Sequence, residues 1–278
     1  MQLHSLNTGF FKLDGGAMFG VVPKSIWNNI NPADEKNLCT WGLRCLLVEE
    51  GNRLVLVDCG LGNKQNEKFF SHYEPHGDKS LEVSLRDLGF SPHDITDVFL
   101  THLHFDHCGG AIKYDNENKL VPAFKNAIYY SCEKHWEAAT QPNQREKASF
   151  LKENILPIKE SGQLKMLQDG EELFPGFKTK FVYGHTEAMM LPLIQYKNQT
   201  IAYMADLIPS AGHIPIAYVM AYDIRPLISL QEKESFLTTA VENNYVLFFE
   251  HDPKIEACTL QQTDRGIRMG EEVKLNAL

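Results

Sequence analysis

Short apolar runs, rich in β-branched and aromatic residues, recur along the chain and end on polar or glycine punctuation. Those at 43–48, 54–57, 98–100, 127–130, 179–183, 201–204 and 245–249 read as strands. Helical spacing lies between them. Residues 80–88 carry apolar side chains at 81, 83, 85 and 88 and then meet Gly89, which predicts a helix with a glycine stop. Ser229 followed three residues later by Glu232 reads as a capping box opening a helix that runs towards Asn243. Strands first in hairpin-like pairs and then alternating with helices predict an α/β chain, an αββα sandwich of two mixed β-sheets flanked by helices. No repeat, low-complexity stretch or long linker interrupts the pattern. Residues 1–278 are therefore read as a single domain, with an N-terminal segment of about 1–40 packing near its site.

What the predicted strands deliver changes the picture. The run at 54–57 leads to Asp58, that at 179–183 to His185, that at 201–204 to Asp206 and that at 245–249 to His251. Loops at strand ends are where a rigid scaffold holds functional groups. The run at 98–100 leads to the densest cluster of all, His102-Leu-His104-Phe-Asp106-His107. Three imidazoles and a carboxylate in one turn match the ligand chemistry of a borderline-soft cation. His102 and His104, two apart on an extended segment, can grip one ion. Asp106 and His107 lie one turn on and would reach a second.

Composition narrows the class. The 278 residues are 43% hydrophobic and 23% charged, with a net charge of −9. That balance suits a soluble globular chain and argues against a nucleic-acid partner, which needs a basic face. The first residues show no basic region followed by an apolar stretch, so no secretory signal is expected, and no apolar run approaches the roughly 18 residues of a membrane span. The six cysteines form no CxxC pair. They read as buried free thiols, which points to a reducing cytoplasm.

The cluster at 102–107, followed by His185, Asp206 and His251, resembles the metallo-β-lactamase fold superfamily over nearly the whole chain. The stretches 14–24, 101–107, 204–209, 221–223 and 251–252 resemble its YtnP-type branch of N-acyl-homoserine lactonases, akin to methyl parathion hydrolase. The resemblance implies that His102, His104 and His185 hold a first metal and that Asp106, His107 and His251 hold a second, with Asp206 bridging both. It implies two divalent ions, zinc first, with Mn, Fe or Co as substitutes. Asp58 matches a family aspartate that orients a ligand histidine or anchors its loop.

Departures sharpen the expectation. Class B1 β-lactamases carry a cysteine where this chain has Asp206, which argues against β-lactam hydrolysis. Well-known homoserine lactonases place a lactone-binding tyrosine three residues after the bridging aspartate. Here Pro209 stands there, and Tyr218 or Tyr222 is left to supply a hydroxyl. Phe19, within the apolar stretch 17–22, and His213 are further candidates to line a substrate pocket.

The resulting expectation is a dinuclear metallohydrolase (lactonase or esterase type, EC 3.1) that uses a metal-bridging hydroxide to open a lactone or small ester, N-acyl-homoserine lactones and quorum quenching included. Asp106 and Asp206 are its catalytic carboxylates. Its partner is a small-molecule substrate, with no membrane and no nucleic acid, and the apolar N-terminal stretch suggests a homodimer. The alternatives are a phosphotriester or aryl-ester hydrolase on the same site and, more remotely, a mononuclear iron persulfide dioxygenase.

Overall fold

Each apolar run read as a strand forms one, with bounds shifted by a few residues at most. The computed structural model describes residues 1–278. The chain divides into two compact units, the first made of residues 1–9, 43–72 and 76–168. The strands wholly or mostly within it are β1 (Gln2–Asp14), β2 (Leu38–Glu50), β3 (Arg53–Val57), β4 (Asp97–Phe99), β5 (Ile112–Tyr114), β6 (Leu120–Pro122), β7 (Ile128–Ser131) and β8 (Leu164–Met166). They form a mixed six-stranded sheet in the order β1-β2-β3-β4-β7-β8, and β5 pairs with β6 separately. β2 and β3 make an antiparallel hairpin in which Leu46 faces Val57, whereas β3–β4, β4–β7 and β7–β8 are parallel.

Parallel neighbours need crossovers that cover the sheet, so the central strands are apolar throughout rather than alternating. Val55, Leu56, Val57, Val98 and Phe99 are accordingly buried. The helix Leu81–Asp87 lies on the β3–β4 crossover, and the helices Glu133–Thr140 and Lys152–Glu160 on that between β7 and β8. Ser80 accepts the Val83 N–H as the N-cap of the first of these, and Gly89, at φ 84°, ends it as the pattern predicts. Leu47, Leu56, Val98, Leu100, Tyr129, Ile155 and Ile158 share one core cluster. Each such side chain contributes about 1.5–3 kcal/mol when fully buried.

The second unit comprises residues 10–42, 73–75 and 169–278. Its strands are β9 (Glu172–Phe174), β10 (Phe177–Val182), β11 (Met189–Tyr196), β12 (Gln199–Tyr203), β13 (Val246–Phe248), β14 (Ala257–Thr263) and β15 (Gly266–Val273). They build a mixed seven-stranded sheet in which each strand pairs with the next in sequence. All pairs are antiparallel except β12–β13, where Ile201 lies beside Val246. That parallel pair needs a crossover, and the helix Pro226–Glu242 supplies it. β14 and β15 carry mostly polar or half-exposed residues, which is why no apolar run announced them.

One expected feature is corrected. The helix begins at Pro226, with proline in its first turn, so Ser229 lies inside it and caps nothing. Glu232 accepts hydrogen bonds from the Tyr183 and Gly184 amides at 2.7 and 3.0 Å instead of closing a capping box. The carboxylate is committed to a loop far away in sequence, which a local motif does not reveal. No helix of the molecule is long and apolar enough to cross a membrane.

The parallel core generates a stability prediction. Leu56→Ala should lower the unfolding free energy by about 2–5 kcal/mol, read as a lower urea midpoint at unchanged slope. A loss below about 1 kcal/mol would show that the neighbouring side chains collapse into the space.

Candidate functional site

In the first unit, the end of β3 and the turn after β4 build one set of donors. β4 ends at Phe99, and the chain turns through Thr101 into the helical turn Phe105–Cys108, which carries Asp106 and His107. Asp58 follows β3 directly and is fully buried. Its two oxygens accept the Thr101 N–H at 2.8 Å, the Thr101 hydroxyl at 2.7 Å and the His107 Nδ1 at 3.2 Å. Since the Thr101 proton goes to Asp58, its oxygen is free to accept from His102 Nδ1, 3.1 Å away. Those contacts place the protons of His102 and His107 on Nδ1 and leave both Nε2 atoms as lone pairs. His102 Nε2 then faces His104 Nδ1 at 3.1 Å.

The second unit builds a complementary set. His185 follows β10, Asp206 follows β12 and His251 follows β13, each three residues past its strand. His185 Nδ1 donates to Asp223 at 2.9 Å, and His251 Nδ1 donates to the Gly42 carbonyl at 2.8 Å. Their Nε2 atoms point to opposite oxygens of one carboxylate. His185 Nε2 is 3.0 Å from Asp206 Oδ2, and His251 Nε2 is 3.2 Å from Asp206 Oδ1. Burial by itself would push the His185 pKa down, but the charges and hydrogen bonds of Asp206 and Asp223 outweigh it and raise it to about 10. The position thus favours a positive charge, which a metal ion supplies as well as a proton does.

Nitrogen lone pairs and carboxylate oxygens aimed at common points suit a divalent cation. Each unit offers such donors, His102, His104, Asp106 and His107 in the first and His185, Asp206 and His251 in the second. His102 and His107 are closed to solvent, whereas Asp106 and His104 retain 8% exposure and Asp206 6%.

The residues considered for substrate contact fare differently. Phe19 and His213 are fully buried and stacked on one another, with ring centres 4.5 Å apart and planes 4° from parallel. Trp27 and Trp41 pack against Phe19 as well. Both rings are thus committed to the packing of the 17–22 stretch. Ser210 donates to His213 Nδ1 at 2.7 Å, and His213 Nε2 donates to the Met18 carbonyl at 2.9 Å. Tyr222 is 39% exposed.

Several contributors carry no local sequence signal. Asp223 and the Gly42 carbonyl orient histidines 38 and 209 residues away in sequence. Glu232 pins the backbone leading to His185, and Arg225 donates to the Tyr183 carbonyl at 2.7 Å from the same helix start. His135, which lacks a strand-end setting, is buried, and its Nε2 accepts the Leu103 N–H at 2.8 Å.

Known proteins show the same arrangement of chain. The sequence profile of the metallo-beta-lactamase superfamily matches residues 44–251. An N-acyl homoserine lactonase of Bacillus cereus is 23% identical over 249 residues, 82% of this chain and 87% of that protein. Among solved structures, a probable metal-dependent hydrolase from Staphylococcus aureus superposes with a TM-score of 0.89 at 28% identity, covering 98% of this chain and 96% of its own. The dizinc quorum-quenching lactonase AidC, in complex with a product, superposes at 0.79 with 23% identity, covering 98% of this chain and 94% of its own.

The buried aromatic stack carries a pH dependence of its own. Burial pushes the His213 pKa down to about 3, below the value near 6.5 of an unfolded chain. The unfolded state takes up the proton first. The stabilisation from neutral His213 is complete above about pH 6.5 and drains as the pH falls towards 3. Thermal melts between pH 7 and 5 should show a steeper fall for the wild type than for His213→Gln. Parallel slopes would remove His213 from the acid response.

Proposed function

The chain belongs to the metallo-β-lactamase superfamily, and we propose that it is a dinuclear metal-dependent hydrolase that opens lactones or small esters, with N-acyl homoserine lactones as the first candidates. The observation that carries this reading is Asp206, whose two oxygens each face a different histidine at 3.0 and 3.2 Å. A carboxylate presented in that way is suited to bridging two ions. In this reading His102, His104 and His185 hold one cation, Asp106, His107 and His251 hold the other, and Asp206 joins them. The completeness of the second trio favours two ions over a single redox iron.

Two bound divalent cations would supply Lewis acidity for a carbonyl oxygen and lower the pKa of water to near neutrality. The protein's own groups do the rest. Asp58, Asp223 and the Gly42 carbonyl keep the imidazole protons on Nδ1 and so keep Nε2 available. Asp106, in the cluster turn, is the group to hold a proton on its carboxylate and deliver it to the leaving oxygen. Tyr222, with its side chain open to solvent, is a candidate to meet the substrate where Pro209 replaces the usual tyrosine.

The named lactonases among the relatives support the substrate class. Zinc is the first choice of metal for a His/Asp donor set, with Mn, Fe and Co compatible. All six cysteines are buried free thiols, which supports a reducing, cytoplasmic setting. Exposed Val21, Ile26 and Leu227 support a homodimer.

The test is turnover by zinc-loaded protein of homoserine lactones of several acyl lengths, a δ-lactone, an aryl ester and a phosphotriester, with metal content measured in parallel. The expected result is about two zinc ions per chain and preferential lactone opening. Loss of an outer-shell partner alone typically costs 10–100-fold, so Asp206→Ala should fall by more than about a hundredfold. Preference for the phosphotriester or aryl ester would overturn the substrate class. One ion per chain would overturn the dinuclear site.

A further inference from the structure

His104 is the odd member of the imidazole set. His102, His107, His185 and His251 each engage a hydrogen-bond partner through Nδ1, leaving Nε2 as the presented atom. His104 is turned the other way, with Nδ1 directed at His102 Nε2. For Nδ1 to present a lone pair, the proton of His104 must sit on Nε2, and a buried N–H needs an acceptor.

The acceptor comes from the segment between the helices Glu133–Thr140 and Lys152–Glu160. Glu146 Oε1 lies 3.8 Å from His104 Nε2, with both side chains almost fully buried. That is ion-pair rather than hydrogen-bond distance. The rest of the segment is built to hold Glu146 there. Asn143 accepts the Arg145 and Glu146 N–H groups at 2.9 and 3.1 Å, and its amide donates to Glu146 Oε2. Oε1 is the oxygen on the imidazole side. The Ser149 N–H donates to the Glu146 carbonyl at 2.8 Å, and the Ser149 carbonyl accepts the Phe105 N–H at 3.0 Å, which ties the segment to the residue after His104. Phe150 packs its ring 4.7 Å from that of His104. Backbone, carboxylate and aromatic ring thus reach the same imidazole neighbourhood from one stretch of eight residues.

We infer that Glu146 is a positioning residue for metal binding. It accepts the His104 Nε2 proton, fixes the tautomer that presents Nδ1 and makes that nitrogen a stronger donor. A carboxylate behind a ligating imidazole does both of these things. Glu146 touches neither substrate nor metal and acts only through His104. The inference rests on the proposed dinuclear reading and adds to it a residue outside the ligand set.

Wild-type, Glu146→Gln and Glu146→Ala proteins would be loaded with zinc and challenged with excess chelator while zinc retained per chain is followed. In parallel, 15N-histidine-labelled samples report the His104 Nε2–H resonance. One of the two ions should leave about 10–100-fold faster from Glu146→Ala, with Glu146→Gln intermediate and the second ion retained. The Nε2–H resonance should shift in both variants. Should the alanine variant fail to fold, the near-isosteric glutamine variant carries the test. Zinc retention equal to wild type in the folded variants, with the resonance unmoved, would overturn the positioning role alone. Wild-type protein that takes up no zinc would overturn the parent reading, and this one with it.

Discussion

An imidazole buried in protein has two nitrogens to satisfy, and a metal can take only one. That constraint organises the structure around the candidate ligands. Leaving a buried donor without a partner costs about 1–3 kcal/mol, so each ring needs an acceptor in a fixed direction. Asp58 serves Thr101 and His107 directly and His102 through the Thr101 hydroxyl. Asp223 and the Gly42 carbonyl serve His185 and His251. Asp58 itself adopts φ 57°, a conformation that disfavours a non-glycine residue. It is held there by its N–H to the Phe99 carbonyl and by the next residue, whose N–H donates to the His107 carbonyl. Local backbone strain is thereby balanced by the ladder of the parallel strands.

Close backbone packing does the same for the turn after His107. A Cβ on Gly109 would lie 2.0 Å from the Leu61 carbonyl oxygen, and one on Gly110 would lie 2.2 Å from that of Cys59. Only glycine lets the loop following β3 lie against the end of the cluster turn, with the Gly110 N–H on the Gly60 carbonyl. Lys64, whose buried ammonium is pushed down to about 8 by desolvation, donates to the Gly109 carbonyl from the same loop.

Much of this was legible along the chain. Apolar runs marked the buried strands because parallel pairs are covered on both faces, and the polar residue after each run marked where the chain leaves the core. Asp58, His185, Asp206 and His251 all stand just past strands for that reason. What was not legible depends on partners remote in sequence. Glu232 matched a local helix-start pattern yet serves the amides of Tyr183 and Gly184. Phe19 read as an apolar residue free to meet a ligand, but its ring is consumed by His213 and two tryptophans. The β14–β15 hairpin escaped because its half-exposed residues show no apolar run.

The attachment of Glu232 to the loop before His185 has an evolutionary consequence. Adding or deleting one residue between Pro226 and Glu232 would turn the carboxylate by about 100° around the helix axis and carry it off both amides. Point substitutions on the outer face of that helix leave the attachment intact. Divergence in this stretch should therefore proceed by exchange of side chains at constant length, while changes of length accumulate in loops that carry no such tether.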